Sequence, residues 1–415
     1  MGTLETQIEQ YAAMAIQVGV NLQPGQTLFI GGPAGAPIER ADFVRLLATK
    51  AYDAGASRVH VLWEDEWLTR LTLERASEEA LRTFPAPLAR WFEDAAAEGS
   101  AFLRVSARDP DLLDGVETRR VTESQRAMMA AMAPYMEYTG AMRVSWSIVC
   151  AATRAWANKV FPQLPEAERV DALWRALLQA ARISGGDPAA NWREHLARLS
   201  ERTEALDRQR LRRLHYRAPG TDLVIELPER HQWLSCAGSR NAQGVSFVPN
   251  MPTEEVFTVP ARNGVHGTVR STMPLNYNGV LIQDLSLRFE NGRIVDFSAS
   301  TGLDALKGLI ETDEGSHYLG EVALVPVDSP ISQLGVLFYN TLLDENASCH
   351  LAIGRGFPVC IEGGASMSKE ELAHHGVNDS IAHVDFMVGS RDLEIDGETA
   401  DGTVPIFRNG TWATP

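Results

Sequence analysis

Apolar positions recur with two different periods along this chain, and the period changes near its middle. Leu4, Ile8, Tyr11, Ala12 and Ile16 fall on one face at helical spacing, so the chain opens on an amphipathic helix. Short apolar runs then alternate with helix-period stretches. Thr27 to Ile30 reads as a strand closed by Gly31, Gly32 and Pro33, with a helix near Ile38 to Asp53. Arg58 to Trp63 reads as a second strand, followed by helix within Glu74 to Ala97, broken around Pro85 and Pro87. Ala101 to Val105 is a third strand, Val121 to Tyr138 is helical, and Arg143 to Val149 is a fourth strand. Strands separated by helical crossovers predict a parallel α/β layer. Residues from about Ala151 to Arg213 read as two or three further helices.

From Asp222 the pattern shifts to short β-type runs: LVIEL, FTVP, GVLIQDLSLRF and RIVDFSAS. Glu290-Asn291-Gly292-Arg293 lies between the last two, and Asn-Gly between alternating apolar runs predicts a hairpin. The punctuation at Arg217-Ala218-Pro219-Gly220 sets the expected boundary. An N-terminal α/β and helical domain then spans 1–217, and a C-terminal β-rich α+β domain spans 218–415. A length of 415 residues suits two or three domains.

Hydrophobic content of 45% and charged content of 22% are those of a globular chain. A net charge of -16 repels phosphate backbones, so no nucleic-acid partner is expected. Cys150, Cys236, Cys349 and Cys360 form no CxxC pair and no disulfide framework, which fits reduced thiols in a cytoplasm. The N-terminus lacks the basic and apolar regions of a signal peptide, and no apolar run approaches the ~18 residues of a membrane span. The cluster Gly31-Gly32-Pro33-Ala34-Gly35 lacks dinucleotide-fingerprint spacing and reads as a plain turn. Trp63, Trp67, Trp91, Trp146 and Trp156 read most simply as N-terminal core.

The candidate chemistry is in the C-terminal half. His383 and Asp385 are two apart, and on a strand they share a face, which makes half a site for a divalent metal. On its own this pair could equally be the polar face of a surface strand. His350 follows Glu345 across a small polar stretch, and by itself reads as a structural histidine. Glu254-Glu255 after Pro252 reads alone as a solvated helix start. Glu321 precedes the apolar run Val322 to Val325, where a buried carboxylate must be paired, protonated or metal-bound. Asn346, Asn378 and Asp379 read either as residues that support the ligands or as turn residues, turns being the better reading. Two histidines and several carboxylates beside apolar strands together suit zinc, cobalt or manganese, with bridging carboxylates admitting two ions.

At these residues the sequence resembles the aminopeptidase T / aminopeptidase S family of metallopeptidases. NMPTEEVFT, EGSHYLGEVALVP, LFYNTLLDENASCHLAIG and NDSIAHVDFMVGS look like that family's blocks, in order. The resemblance implies two divalent metal ions (Zn, Co or Mn) per chain. It implies Glu255, Glu321, Glu345, His350, His383 and Asp385 as metal ligands, with Glu321 bridging and Glu345 in or beside the shell. Glu254, beside Glu255, is the candidate general base. The resemblance further implies small peptide substrates, a homodimer, and hydrolysis of N-terminal residues. One position departs: the family commonly has tyrosine seven residues after the block-three histidine, and here it is Phe357. If that hydroxyl stabilises an oxyanion, its absence costs about 2–4 kcal/mol. Two other readings compete. A ring-cleaving non-haem iron dioxygenase would need only His350, His383 and Asp385. A non-catalytic protein would bind metal without turnover.

Overall fold

The computed structural model describes residues 3–277 and 279–413. The chain divides into two units, Met1–Leu196 with Cys236–Thr253, and Ala197–Ser235 with Glu254–Pro415.

The first unit is built on the four strands expected from the apolar runs. They are β1 (Thr27–Ile30), β2 (Arg58–Val61), β3 (Ala101–Ser106) and β4 (Trp146–Cys150). All pair in parallel in the order β2-β1-β3-β4, and the short Asn250–Met251 strand adds alongside β4. Helices α1 (Leu4–Met14), α2 (Ala41–Asp53), α3 (Ala86–Ala97) and α4 (Thr118–Gly140) come from the helix-period stretches. Thr3 caps α1, its hydroxyl accepting from the Thr6 N–H at 3.3 Å. Pro87 sits in the first turn of α3, where a missing N–H costs nothing. Phe29, Phe92, Phe102 and Tyr135 pack edge-on and offset into one core. The tight turn after β1 requires glycine. Gly31 has φ 120°, and a Cβ there would stand 2.4 Å from the Leu62 carbonyl. The tryptophans divide: Trp156 is fully buried, whereas Trp67 is 67% exposed and Trp63 41%. Trp63 and Trp67 are therefore not core as expected, while Trp91, 37% exposed, covers the core cluster edge-on at Phe29.

The second unit begins with β5 (Arg213–Ala218) and β6 (Thr221–Glu226), paired antiparallel with Ala218 opposite Thr221. Pro219-Gly220 is thus a hairpin turn and not a linker, and a boundary at 217/218 would cut this hairpin in two. Gly220 at φ 81° serves that turn. The strands that follow are β7 (Val256–Thr258), β8 (Val265–Arg270), β9 (Ser286–Glu290) and β10 (Arg293–Ser298). Glu290 pairs with Arg293, with Asn291 and Gly292 both at positive φ, so the predicted Asn-Gly hairpin forms. Then come β11 (Leu319–Leu324), β12 (His350–Gly354), β13 (His383–Met387), β14 (Glu394–Thr399), β15 (Gly402–Arg408) and β16 (Thr411–Trp412). An eight-stranded sheet runs β10-β9-β8-β6-β5-β14-β15-β16, and a four-stranded antiparallel sheet runs β7-β11-β12-β13. The fold is α/β with a parallel sheet and separate antiparallel sheets. Among the described residues, no helix is long and apolar enough to cross a membrane.

Candidate metal centre

Strand register gathers the candidate ligands on one face of the four-stranded sheet. Phe257, Ala323, His350 and Met387 form one cross-strand row. Glu321, Ala352 and Asp385 form the next, and Gly354 with His383 the third. Alternation of side chains puts all three rows on the same face, with Glu255 two residues before Phe257. The inner strands carry Ala323, Ala352 and Gly354 there, so the middle of the face is free of bulky side chains. Around that space stand carboxylates and imidazoles. The other face holds Leu351, Ile353 and Phe386, all fully buried. This explains how β11, buried along its whole length, tolerates Glu321: its neighbours Val322 and Leu324 serve the core and Glu321 serves the cluster.

The distances are short. His350 Nε2 lies 3.1 Å from Glu255 and 3.7 Å from one Glu321 oxygen. His383 Nε2 lies 3.4 Å from the other Glu321 oxygen and 3.6 Å from Asp385. Two triads result, Glu255/Glu321/His350 and Glu321/His383/Asp385, each with its ligand atoms within 4.8 Å of one another. Both histidines are oriented alike. His350 Nδ1–H donates to the carbonyls of Glu345 and Ser348 at 2.9 and 3.0 Å, and His383 Nδ1–H donates to the Arg355 carbonyl at 2.8 Å. A carbonyl only accepts, so each Nε2 is left to face the carboxylates.

Electrostatics reflect the crowding. Burial raises the Glu255 carboxyl, against the pull of His350. Glu345, at the end of α5 (Thr341–Glu345), is pushed well up by burial and then by Asp385 and Glu255, and it donates to Asp385. Burial raises Asp385 as well. Glu321 goes the other way: burial opposes its ionisation, but hydrogen bonds from His350 and His383 hold it at about 2. Burial would discharge both histidines, but hydrogen bonds and opposite charge lift His350 well above its ordinary value; Asp385 and Glu321 lift His383 to about 9. One Asp385 oxygen, buried, has no hydrogen-bond partner. Four crowded carboxyl groups, one with an orphaned oxygen, and two inward-facing Nε2 atoms make a donor set that fits divalent cations.

Six expected residues therefore meet: Glu255, Glu321, His350, His383 and Asp385 in the triads, with Glu345 against Asp385. Glu254 is buried and belongs to neither triad. The solvated helix start expected at Glu254-Glu255 does not form: Glu254 is buried and the chain runs through Glu255 straight into β7. Sequence reading underrated two asparagines. Asn346, fully buried, accepts the Glu254 N–H at 2.7 Å and donates to the Leu342 carbonyl at 2.8 Å. Asn378, also buried, donates to the carbonyls of Gly315 and Gly354 at 2.8 and 2.6 Å. Asp313 was missed altogether. Its carboxylate accepts from the Ser316 N–H and hydroxyl, the Ser380 hydroxyl and the Ile381 N–H, fixing the loop that leads into His383. No local pattern announces the pairing of Asn346 with Glu254, 92 residues away, or of Asp313 with Ile381, 68 residues away.

A carboxylate and imidazole cluster of this kind on a sheet face is a candidate centre for divalent metal. The chain belongs to the thermophilic metalloprotease family M29, whose sequence pattern matches residues 4–412. It is 49% identical over 414 residues to aminopeptidase AmpS of Bacillus subtilis (strain 168), covering 100% of both chains. It is 48% identical to aminopeptidase 2 of Geobacillus stearothermophilus over 100% of this chain and 99% of that one. The structure superposes on wild-type AmpT from Thermus thermophilus with a TM-score of 0.93 at 41% identity, covering 99% and 100% of the two chains. The 2,5-dihydroxypyridine dioxygenase of Pseudomonas putida KT2440 gives a TM-score of 0.50 at 12% identity, covering 100% and 99%, a likeness of fold alone. The protein is thus a peptide hydrolase of a metal-dependent family, and the dioxygenase reading is not favoured.

Proposed function

We propose that the protein is an aminopeptidase that holds two divalent metal ions on the face of the four-stranded sheet. Glu255 and His350 would hold one and His383 and Asp385 the other, with Glu321 shared between them and Glu345 in or beside the shell. The observation that carries this reading is Glu321, whose two oxygens each face a different histidine. Charge supports the number. Glu255, Glu321, Glu345 and Asp385 bring four negative charges when ionised and the neutral histidines none, so two divalent ions balance the cluster. Those ions, when bound, supply Lewis-acid polarisation of the scissile carbonyl and an acidified water.

The chain's own residues do the rest. The Nδ1–H hydrogen bonds aim the Nε2 atom of each imidazole at the carboxylates. In the metal-free chain Glu321 is held ionised by both histidines, so it presents a carboxylate to an arriving cation. Glu254, next to Glu255 and fixed through its N–H to Asn346, is the general base that takes the proton of the attacking water and passes it to the leaving amine. The substrates are small peptides with a free N-terminus, the native assembly is a homodimer, and zinc, cobalt or manganese suits the donor set.

Hydrolysis of leucine p-nitroanilide tests the reading. Activity should vanish on chelation and return with added Co²⁺, and the N-acetylated substrate should not be cleaved. Bound metal without turnover on any peptide substrate would leave the non-catalytic reading in its place. Glu254→Gln should lose at least about a hundredfold in kcat, within the range for general-base removal, and full activity in that variant would remove Glu254 from the mechanism.

A further inference from the structure

The two histidines of the centre are not restrained equally. His350 is 1% exposed, lies on an inner strand and donates to two carbonyls. His383 is 25% exposed, lies on the edge strand β13 and donates to one. Its Nε2 contacts, at 3.4 and 3.6 Å, are longer than a well-formed hydrogen bond of about 2.7–3.2 Å. One hydrogen bond at Nδ1 sets the direction of an imidazole but leaves its tilt free. A second contact comes from an aromatic ring. Phe357 lies against His383 with ring centroids 4.7 Å apart at 53°. Phe357 is itself braced by Phe257, at 6.1 Å and 69°, and by the buried cluster of Val259, Cys360, Ile361, Leu372 and Val377. A ring backed by a packed core and pressed on an otherwise loose imidazole is a geometric restraint, and such aromatic contacts carry orientation preferences as well as buried area.

We propose that Phe357 is a positioning residue that holds the His383 imidazole in the plane required for metal binding by the Glu321/His383/Asp385 triad. It acts through His383 and touches no reacting atom, and the aromatic ring, not a hydroxyl, is what this position contributes. The inference rests on the two-ion reading of the centre.

The test is calorimetric titration of chelator-stripped protein with Co²⁺, for the wild type, Phe357→Leu and Phe357→Tyr. Leucine keeps the apolar packing of the cluster and removes the ring; tyrosine keeps the ring. Wild type should show two binding events. Phe357→Leu should weaken one of them at least about tenfold, the lower end for partners that orient metal ligands, and leave the other within about twofold. Phe357→Tyr should restore both to within about threefold. Unchanged affinities in Phe357→Leu would overturn the proposal. So would equal weakening of both events, the mark of a merely structural role. A wild type that binds fewer than two ions would instead overturn the reading beneath it, whatever the variants do.

Discussion

Replacing Asn346 by alanine removes a single side chain that joins two parts of the metal centre. Asn346 is fully buried and makes two hydrogen bonds, accepting from the Glu254 N–H at 2.7 Å and donating to the Leu342 carbonyl at 2.8 Å. Alanine fills neither role. The Glu254 N–H sits in a residue only 5% exposed, so water does not readily replace the lost acceptor. A buried donor left unsatisfied costs about 1–3 kcal/mol. A central value of about 2 kcal/mol lowers the protection of this amide about 30-fold, since about 1.4 kcal/mol is tenfold. The assay is hydrogen exchange on chelator-treated protein, followed by mass spectrometry across residues 252–257 and, as an internal control, across β5 and β6. Faster exchange confined to the first region is expected, together with weaker metal binding because Glu255 is the next residue. Exchange within about twofold of wild type would refute the assignment of Asn346 as the clamp on this segment.

Three further outcomes follow from the same geometry. Ala352→Leu places a branched side chain between Glu321 and Asp385 in their cross-strand row; it should cost about 1–3 kcal/mol of stability and abolish metal uptake, and normal metal content by elemental analysis would contradict the open face. Asp313→Ala frees the Ile381 N–H and the Ser316 and Ser380 groups; metal affinity should fall about 10- to 100-fold, as for other groups that orient ligands, and an unchanged titration would show the loop holds itself. Metal-free protein should melt at lower temperature as pH rises from 6 to 9. His383 is lifted to about 9 and His350 is also raised, so their stabilisation is complete below the ordinary histidine range and lost as pH climbs through the folded values. The raised carboxyls of Glu345, Glu255 and Asp385 act in the same sense, because the folded chain keeps protons that the unfolded chain has released. Glu321, held at about 2, opposes this only at the acid end, losing its stabilisation as pH falls from its ordinary range toward that value. A melting temperature that is flat or rises over pH 6–9 would contradict this balance.

Much of the fold was legible because its signals are local. The apolar runs of β1 to β4 and the Asn291-Gly292 hairpin each declare themselves within ten residues. His383 and Asp385 were legible for the same reason, since a strand of period two puts them on one face. The remaining ligands could be listed from the resemblance, yet their meeting place depended on register, which no single segment reveals. Ala323, Ala352 and Gly354 are unremarkable in sequence; only the pairing of β11, β12 and β13 shows that they clear the centre of the face. Asn346 and Asp313 act on partners far along the chain, so turn chemistry was the natural reading of the first and nothing marked the second. Pro219-Gly220 misled because the same dipeptide serves linkers and hairpins, and only the pairing of β5 with β6 distinguishes them. Trp67 misled because a large apolar side chain predicts burial on average, without saying which residue is the exception.

The central claim is that one bridging carboxylate serves two ions. Its most direct test is elemental analysis of chelator-stripped protein reloaded with Co²⁺, with leucine p-nitroanilide hydrolysis followed at each step. Two ions per chain, with activity saturating as the second site fills and both lost in Glu321→Gln, is the predicted result. Full activity at one ion per chain, or two ions retained by Glu321→Gln, would contradict it.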